Sequence, residues 1–251
     1  MSLEIKNISK SFGGFSALDS VSLRMSEKAL VGLIGPNGAG KSTLFAIISG
    51  FQRQTAGEVS FLGKSIDTLS PEERARRGAV RTFQVPRPFH KLTVRENLAA
   101  AAPDNPGESL LPLFIGWGRI KAAEQRISER VEQVMDFLKL RKVAANPAGQ
   151  LSGGQKKLLE LGRALMTNPK LLLLDEPFAG VNPVLIEEIS QRIRQLHQMG
   201  VGCLIIEHNL PALSGLVPHV YAMDRGKIIA EGTPGDVLKD PLVRSAYLGE
   251  G

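Results

Sequence analysis

The hydrophobic residues of this chain follow two different periodicities. Near the N-terminus, apolar and polar residues alternate in LEIKNISKSF, SVSLRM and EVSFLG, with turn residues between these segments. Such alternation predicts strands with one exposed face, paired antiparallel. The segments ALVGLIG, KLLLLDEP and VGCLIIEHN are apolar almost throughout. Runs of this kind are typical of strands buried on both faces in a parallel sheet.

Amphipathic helices are predicted between the apolar strands. KSTLFAIISG is expected to form a helix closed by Gly50, and NPVLIEEISQRIRQLHQMG a helix that ends at Gly200. Residues 121–140 carry apolar side chains at helical spacing. YAMDRGKIIAEG predicts a late hairpin that turns at residues 224–226. Because apolar strands alternate with helices, we expect an α/β fold whose parallel sheet is covered on both faces.

The same pattern predicts the domain organisation. Residues 86–165 are mainly helical, so we expect a helical subdomain inserted into an α/β core made of residues 1–85 and 166–251. The core would include the N-terminal antiparallel β-subdomain. Residues 103–118 interrupt the periodicity with prolines, glycines and the apolar patch LLPLFIGW. This patch is too short to span a bilayer, and we favour a packed or interfacial loop over a lipid anchor.

Composition narrows the class of protein. Of the 251 residues, 43% are hydrophobic and 22% are charged, which indicates a globular chain rather than a disordered one. The single cysteine, Cys203, excludes a disulfide framework. No signal peptide or membrane-spanning run is recognised, so a cytoplasmic location is expected. The net charge of +6 is compatible with nucleic acid, anionic lipid, a polyanion such as a nucleotide, or simply a solvated basic surface.

The motif GPNGAGKS, residues 35–42, fits G-x-x-x-x-G-K-[ST] and lies between a predicted buried strand and a predicted helix. In this setting backbone N–H groups wrap phosphates, Lys41 reaches the β- and γ-phosphates, and the Ser42 hydroxyl binds Mg²⁺. The alternative is an ordinary glycine-rich turn. The strand–motif–helix context favours binding of a nucleoside triphosphate.

Further candidates lie at the ends of strand-like segments. Asp175 is placed to hold a Mg²⁺-bound water and Glu176 to act as general base, although two acids can also cap a turn. Gln84 and His208 also end such segments. Taken alone, a solvated glutamine and a structural histidine are the better interpretations of these two residues. The adjacent carboxylates favour hydrolysis over simple binding.

The segment LSGGQ, residues 151–155, places glycines at the start of a predicted helix, after a serine that can cap it. Backbone N–H groups at a helix start opened by glycine form an anion site. The chain would therefore carry two phosphate cradles.

Together, GPNGAGKST, Gln84, LSGGQ, LLLLDEP and His208 resemble the ATP-binding subunit of ABC transporters in their order and spacing, over nearly the whole chain. LSGGQ is the discriminating motif, since most other P-loop ATPases lack it. RTFQ, DEPFAGVNP, IIEHN and YLGEG resemble more narrowly the branched-chain amino acid importers, although related amide or urea importers share these features.

The resemblance implies a P-loop ATPase core in which two such chains pack head to tail around two ATP molecules. The LSGGQ helix of each chain would contact the γ-phosphate bound by the other, which explains two cradles in one chain. The resemblance assigns catalysis to Glu176, His208, Gln84 and Lys41, and Mg²⁺ to Ser42, Gln84 and Asp175. It assigns ATP binding to Phe12, Gly35, Pro36, Asn37, Gly38, Ala39, Gly40, Lys41, Ser42, Thr43, Ser152, Gly153, Gly154 and Gln155. For Phe12, stacking on adenine competes with a place in the core of the first sheet.

The resemblance also implies partners. These are transmembrane permease subunits, a second ATP-binding subunit that is identical or different, and indirectly a solute-binding protein. The chain would lie at the inner face of the cell membrane, with the loop VPRPFHKLTV after Gln84 and the helical subdomain as the dock. Asn182 replaces the aspartate usual in the wider family, so communication between the two sites could differ.

Two other functions are known for proteins with a similar ATPase head, and each predicts a sequence feature of its own. A DNA-repair or chromosome-maintenance ATPase would insert a long coiled coil between Gln84 and LSGGQ, and a ribosome-acting ATPase usually has two motif sets. The chain has about 65 residues there without extended heptads and a single motif set. No nucleic-acid partner is therefore expected.

Overall fold

The computed structural model describes residues 2–82, 87–103 and 117–248. The chain divides into two compact units. The core unit comprises residues 1–84 and 170–251, and the helical unit comprises residues 85–169. The sequence placed the second boundary after residue 165, but the helix that begins in LSGGQ continues to Met166 within the helical unit.

The N-terminal strands form an antiparallel sheet, as the alternating pattern predicts. Its strands, in the order β2–β1–β4–β5 once numbered along the chain, are β1 (Leu3–Phe12), β2 (Phe15–Met25), β4 (Ala56–Phe61) and β5 (Lys64–Ser65). In β1, Leu3 and Ile5 point into the core at alternate positions, and Ile8 is buried beyond a register irregularity between Ile5 and Ile8.

The second sheet contains the apolar strands. Its members are β3 (Leu30–Ile34), β6 (Ala79–Arg81), β7 (Leu171–Asp175), β8 (Gly202–Ile206), β9 (His219–Asp224) and β10 (Lys227–Gly232), in the order β10–β9–β3–β8–β7–β6. All pairs are parallel except β9 with β10. These last two strands form the predicted hairpin, in which Asp224 pairs with Lys227.

Every residue of β3, β7 and β8 is buried. One hydrophobic cluster joins this sheet to the antiparallel sheet and includes Phe45, Leu18 and Met223. Cys203 lies within β8, where burial raises the pKa of its thiol to about 12, as fits a core residue. Because the parallel strands point the same way, their carboxyl ends meet at one edge of the sheet.

Helices lie between the strands of the core unit and after its last strand, β10. They are α1 (Lys41–Ile48), α2 (Pro71–Arg76), α6 (Pro183–Gln198), α7 (Leu210–Ser214), α8 (Pro234–Val237) and α9 (Pro241–Leu248), numbered with those of the helical unit. In α6, Ile189, Ile193 and Leu196 face the core and Ile186 is half-buried. This is the amphipathic arrangement predicted from the sequence.

The helical unit is built from α3 (Val94–Ala99), α4 (Trp117–Phe137) and α5 (Gly153–Met166), with 3₁₀ turns at Arg141–Val143 and Ala148–Gln150. The apolar stripe of α4 is buried at Val131, Val134 and Met135. The predicted loop at 103–118 falls mostly outside the described residues. In the part of the chain that the structure describes, no helix combines the length and the apolar character needed to cross a membrane.

Candidate nucleotide site

The phosphate loop connects β3 to α1 and depends on glycine for its shape. Gly35, Gly38 and Gly40 have φ angles of 149°, 77° and 101°, in the region that glycine adopts without strain. A Cβ atom on Gly35 would lie 2.2 Å from the backbone oxygen of Met223, and one on Gly40 would lie 2.7 Å from that of Ala17. The two glycines are therefore required by the fold of this chain.

Lys41 lies inside this loop. The side chain is buried, and its Nζ donates hydrogen bonds to the carbonyl oxygens of Gly35 and Pro36 at 2.6 and 2.7 Å. Gly40 caps α1 without a side-chain hydrogen bond. The first N–H groups of a helix lack partners within that helix, so this helix start offers donors and a positive dipole end to an anion.

A cavity of about 270 Å³ opens at the loop. It brings together residues that are far apart in the sequence, namely Phe15, Ala17, Asn37, Gly38, Ala39, Gly40, Lys41, Ser42, Thr43, Glu176 and His208. Most of the predicted nucleotide-binding loop and three of the four predicted catalytic residues (Lys41, Glu176 and His208) thus line the same cavity. Phe12 is not among the lining residues; Phe15, paired with it across the β1–β2 hairpin, lines the cavity instead.

Glu176 and His208 make direct contact at the cavity. The Nε2 atom of His208 lies 2.9 Å from Oε1 of Glu176. Glu176 follows β7 with a φ of 48°, an uncommon conformation for a residue other than glycine. Its backbone N–H donates to the carbonyl oxygen of Ile206 in β8, so the two strand ends are joined at this point.

Asp175 ends β7 but is not part of the cavity wall. Its Oδ2 atom accepts a hydrogen bond from Nη2 of Arg81 at 2.7 Å, and both side chains are largely buried. Arg81 ends β6, the neighbouring parallel strand. No role was predicted for Arg81 from the sequence, although its position at the end of a short strand puts it at the same sheet edge as Asp175.

The LSGGQ segment starts α5 in the helical unit. Ser152 is the N-cap: its Oγ accepts from Gln155 N at 3.2 Å, and Oε1 of Gln155 accepts from Ser152 N at 3.0 Å. This is a complete capping box. Gly153 and Gly154 are the first helical residues, and a Cβ on Gly153 would meet no atom within 4 Å.

Three further residues bear on the nucleotide site. Gln84 lies outside the described residues, so its predicted role stays a prediction. Asn182 caps α6, with Oδ1 accepting from Leu185 N at 2.9 Å, a bond that an aspartate would also make. Tyr247 in α9 was missed by sequence analysis; its hydroxyl accepts from Gly35 N at 2.8 Å, across 212 residues of sequence.

The fold and the cavity define a P-loop nucleotide-binding protein. Comparison with protein families and known proteins gives the family. The ABC transporter model matches residues 18–179, and the model described as branched-chain amino acid ATP-binding cassette transporter matches residues 227–251. The chain belongs to the ABC transporter family, as an ATP-binding protein and ATPase. The predicted family, fold class and enzyme class are confirmed.

Several relatives match along almost their whole length. A probable branched-chain amino acid transport ATP-binding protein, LivG of Archaeoglobus fulgidus, is 44% identical over 98% of this chain and 95% of its own. The high-affinity branched-chain amino acid transport ATP-binding protein BraF of Pseudomonas aeruginosa is 35% identical over 99% and 98%. The lipopolysaccharide export system ATP-binding protein LptB of Haemophilus influenzae is 36% identical over 99% and 97%.

Solved structures agree with this assignment. A nucleotide-free ATP-binding cassette from an ABC transporter is 44% identical, with a TM-score of 0.86 over 99% of both chains. The ADP conformation of an ATP-binding cassette gives a TM-score of 0.84 at 44% identity, again over 99% of both chains. LivG, BraF and LptB are all named as transport or export ATP-binding proteins, and the comparisons do not support the nucleic-acid alternative.

Proposed function

We propose that the chain is the ATP-hydrolysing subunit of an importer. ATP would close a pair of ATP-binding subunits, and hydrolysis would reopen them, driving uptake of branched-chain or related amino acids through separate permeases. The observation that carries the proposal is that the phosphate loop and the Glu176–His208 contact line the same cavity.

The phosphate loop is suited to the β- and γ-phosphates of ATP. The ammonium group of Lys41 already lies among loop carbonyls, and bound phosphates would give it anionic partners. The start of α1 adds N–H donors and the positive end of its dipole. Phe12, predicted to stack on the adenine base, does not line the cavity, whereas Phe15 on the same hairpin does and offers an aromatic surface there.

The residues present fit a Mg²⁺ ion. This ion prefers oxygen ligands and commonly takes only one or two from protein, the rest coming from phosphates and water. Ser42 lines the cavity, and its hydroxyl would bind the ion. Asp175, at the sheet edge with one carboxylate oxygen held by Arg81, would hold a Mg²⁺-bound water. Bound Mg²⁺ would neutralise charge that develops on the phosphates. Gln84 is proposed as a further ligand.

Glu176 is proposed as the general base for hydrolysis. A base must lie within hydrogen-bond reach of the proton that it takes, and this carboxylate borders the cavity beside the phosphate loop. Because Nε2 of His208 lies 2.9 Å from Oε1 of Glu176, the histidine can fix the direction of the carboxylate and contact the γ-phosphate. The proton of the attacking water would pass to Glu176.

The second cradle is proposed to act on another subunit. Ser152 and Gly153 are exposed, and Gly153 has open space around it. The serine hydroxyl, the N–H group of Gly154 and the positive end of the α5 dipole would meet the γ-phosphate held by the partner. The partner is a second copy of this chain or a different ATP-binding subunit.

The membrane partners are proposed from the relatives and from the helical unit. The relatives LivG and BraF are named for branched-chain amino acid transport. The description of the family model that matches residues 227–251 names the same substrate. In the loop after Gln84, Phe89 is 52% exposed and Leu92 is 36% exposed, which provides apolar contact area for a permease. We place the chain at the inner face of the cell membrane, with a solute-binding protein acting indirectly through the permease.

An export function is the second candidate, because LptB of Haemophilus influenzae covers 99% of the chain at 36% identity. Uptake of labelled leucine, measured in cells with and without the gene, separates the two. Loss of uptake on deletion supports import. Normal uptake together with loss of an envelope component would support export.

The experiment for the proposed function is a pull-down of the Glu176→Gln variant with Mg-ATP from detergent-solubilised native membranes. Removing the base should nearly abolish turnover while the ATP-closed state persists, which traps the partners. We expect multi-span permeases, with or without a second ATP-binding subunit, in the mass spectra. Recovery of only soluble or nucleic-acid-bound partners would refute the transport claim, and near-normal turnover of the variant would refute Glu176 as the base.

A further inference from the structure

Glu207 is a buried acid beside the proposed catalytic pair. It directly follows β8 and precedes His208, and only 2% of the residue is exposed. Buried carboxylates are uncommon because taking the charge out of water costs free energy unless hydrogen bonds replace the water. An apolar residue would continue the strand without that cost, so the carboxylate calls for a specific reason.

The carboxylate joins two loops. Its Oε1 atom accepts from the backbone N–H of Phe178, in the loop after β7, at 2.6 Å. Its Oε2 atom accepts from the backbone N–H groups of His208 and Asn209, in the loop after β8, at 3.0 and 3.1 Å. The first loop carries Glu176 and the second carries His208. One side chain thus holds both loops, one with each oxygen.

The electrostatics of the site agree with this bridging geometry. Burial raises the pKa of Glu207, the three backbone N–H bonds oppose that rise, and the nearby Glu176 carboxylate adds to it. The three hydrogen bonds therefore favour the ionised form of the carboxylate, which burial and Glu176 disfavour. Glu176 itself has a left-handed backbone conformation, which the surrounding contacts must hold.

We propose that Glu207 is a positioning residue that sets the distance and direction between Glu176 and His208. By holding Phe178 N with one oxygen and His208 N with the other, it fixes the two loops as one unit. The inference rests on the proposed roles of Glu176 and His208 and adds a residue that touches neither ATP nor the attacking water.

The geometry makes glutamine a sharp test. Its amide has one accepting oxygen and one NH₂ group that can only donate. Because the two carboxylate oxygens serve different loops, either orientation of the amide would place NH₂ against a backbone N–H. Glu207→Gln should therefore release one loop at nearly unchanged side-chain volume. Glu207→Asp keeps two acceptors on a shorter side chain and should lose less.

The experiment measures steady-state ATP hydrolysis and ATP affinity of Glu207→Gln in the purified chain, with exposed Glu58→Gln on β4 as the matched control. We expect kcat to fall about tenfold or more with ATP affinity nearly unchanged, because only the catalytic pair is displaced. The control should match the wild type. An unchanged kcat would overturn the proposal, and so would a loss confined to melting temperature.

A double-mutant cycle separates positioning from general weakening of the fold. In a His208→Ala background, Glu207→Gln should cost much less than in the wild type, because the pair that it positions is already broken. Amide hydrogen exchange should rise at residues 178 and 208–209 rather than throughout the protein. Additive losses with uniform exchange would contradict the proposal. If Glu207→Gln does not fold, the same cycle is run with Glu207→Asp.

The outcomes separate this inference from the proposed function. Loss of turnover in Glu176→Gln with normal turnover in Glu207→Gln would leave the general base in place and remove only Glu207. Normal turnover in Glu176→Gln would remove the base assignment, and the positioning role would fail with it.

Discussion

Two helices of this chain, α1 and α5, begin at glycine-rich loops, but their glycines have different structural causes. In the phosphate loop, Gly35 and Gly40 have positive φ angles and no room for a Cβ atom. At the start of α5, Gly153 is an ordinary helical residue with nothing within 4 Å of a Cβ position. The first loop is complete within the chain, whereas the second has a small residue that its own fold does not require.

The structural cause of each glycine indicates whether it needs a functional explanation. A glycine that the backbone demands is explained by folding alone. A glycine in open space at a helix start lacks such an explanation, and close approach of another molecule supplies one. The capping box at Ser152 shows that this helix start is well formed, so the open space is not a consequence of poor local structure.

The largest effect is expected from Gly40→Ala. The new Cβ would lie 2.7 Å from the backbone oxygen of Ala17, and the φ of 101° would strain any residue other than glycine, together costing roughly 1–3 kcal/mol or more of stability. Thermal unfolding and binding of a fluorescent ATP analogue measure the result. Normal ATP binding in a normally stable variant would show that the loop tolerates a side chain at residue 40, and would contradict the claim that its backbone requires glycine there.

Gly153→Ala should give the opposite combination. Because the position is helical and open, stability should stay the same or rise by up to about 0.5–1 kcal/mol. Binding of ATP to the single chain should also persist, since the phosphate loop is untouched. Turnover should fall about tenfold or more, equivalent to about 1.4 kcal/mol, because the methyl group obstructs the partner's nucleotide. Normal turnover would show that the open space at Gly153 is not needed for a partner's nucleotide.

Ser152→Ala tests the two possible roles of the capping box. Loss of an N-cap costs about 1 kcal/mol in stability. Ser70 caps α2 through the same type of box with Glu73, which makes Ser70→Ala a matched control. Both variants should lose similar stability on thermal unfolding, but only Ser152→Ala should lose ATPase activity. Equal activities would mean that the serine hydroxyl serves only the helix.

The smallest effect is expected from Tyr247→Phe. It removes the hydroxyl that accepts the hydrogen bond of Gly35 N, and a hydrogen bond of this kind is worth about 1 kcal/mol, or roughly fivefold in affinity. Titration with nucleotide should show weaker binding. Tyr221, whose hydroxyl donates to Arg24 O outside the cavity, is the control, and Tyr221→Phe should leave affinity unchanged. Equal affinities for both variants would contradict a role for Tyr247 in the loop.

Local patterns made much of the fold predictable. The apolar runs placed β3, β7 and β8 correctly because strands buried on both faces have no polar positions. The motif spacing placed Lys41 within its loop. Glu176 and His208 could be expected at one sheet edge, since both follow parallel strands. Their direct contact came only with the structure.

Contacts between distant residues were not predictable. Arg81 and Asp175 are 94 residues apart, and the pairing depends on β6 lying beside β7. Tyr247 reaches Gly35 because α9 ends near the loop, which no local pattern indicates. The bridging role of Glu207 was not predictable for another reason. An acid before a histidine is typical of an ordinary strand end, and only the structure shows that its two oxygens accept hydrogen bonds from two different loops.

A mixing experiment on the two phosphate cradles tests most directly whether the second cradle serves another chain. Lys41→Ala should disable the phosphate loop and Gly153→Asp the LSGGQ helix, so each variant alone should be inactive at concentrations where the wild-type chain hydrolyses ATP. In a symmetric dimer that exchanges subunits, an equal mixture should recover about a quarter of the wild-type rate, because half of the pairs would contain one intact composite site. A mixture as inactive as its components would contradict the claim that the second cradle serves another chain.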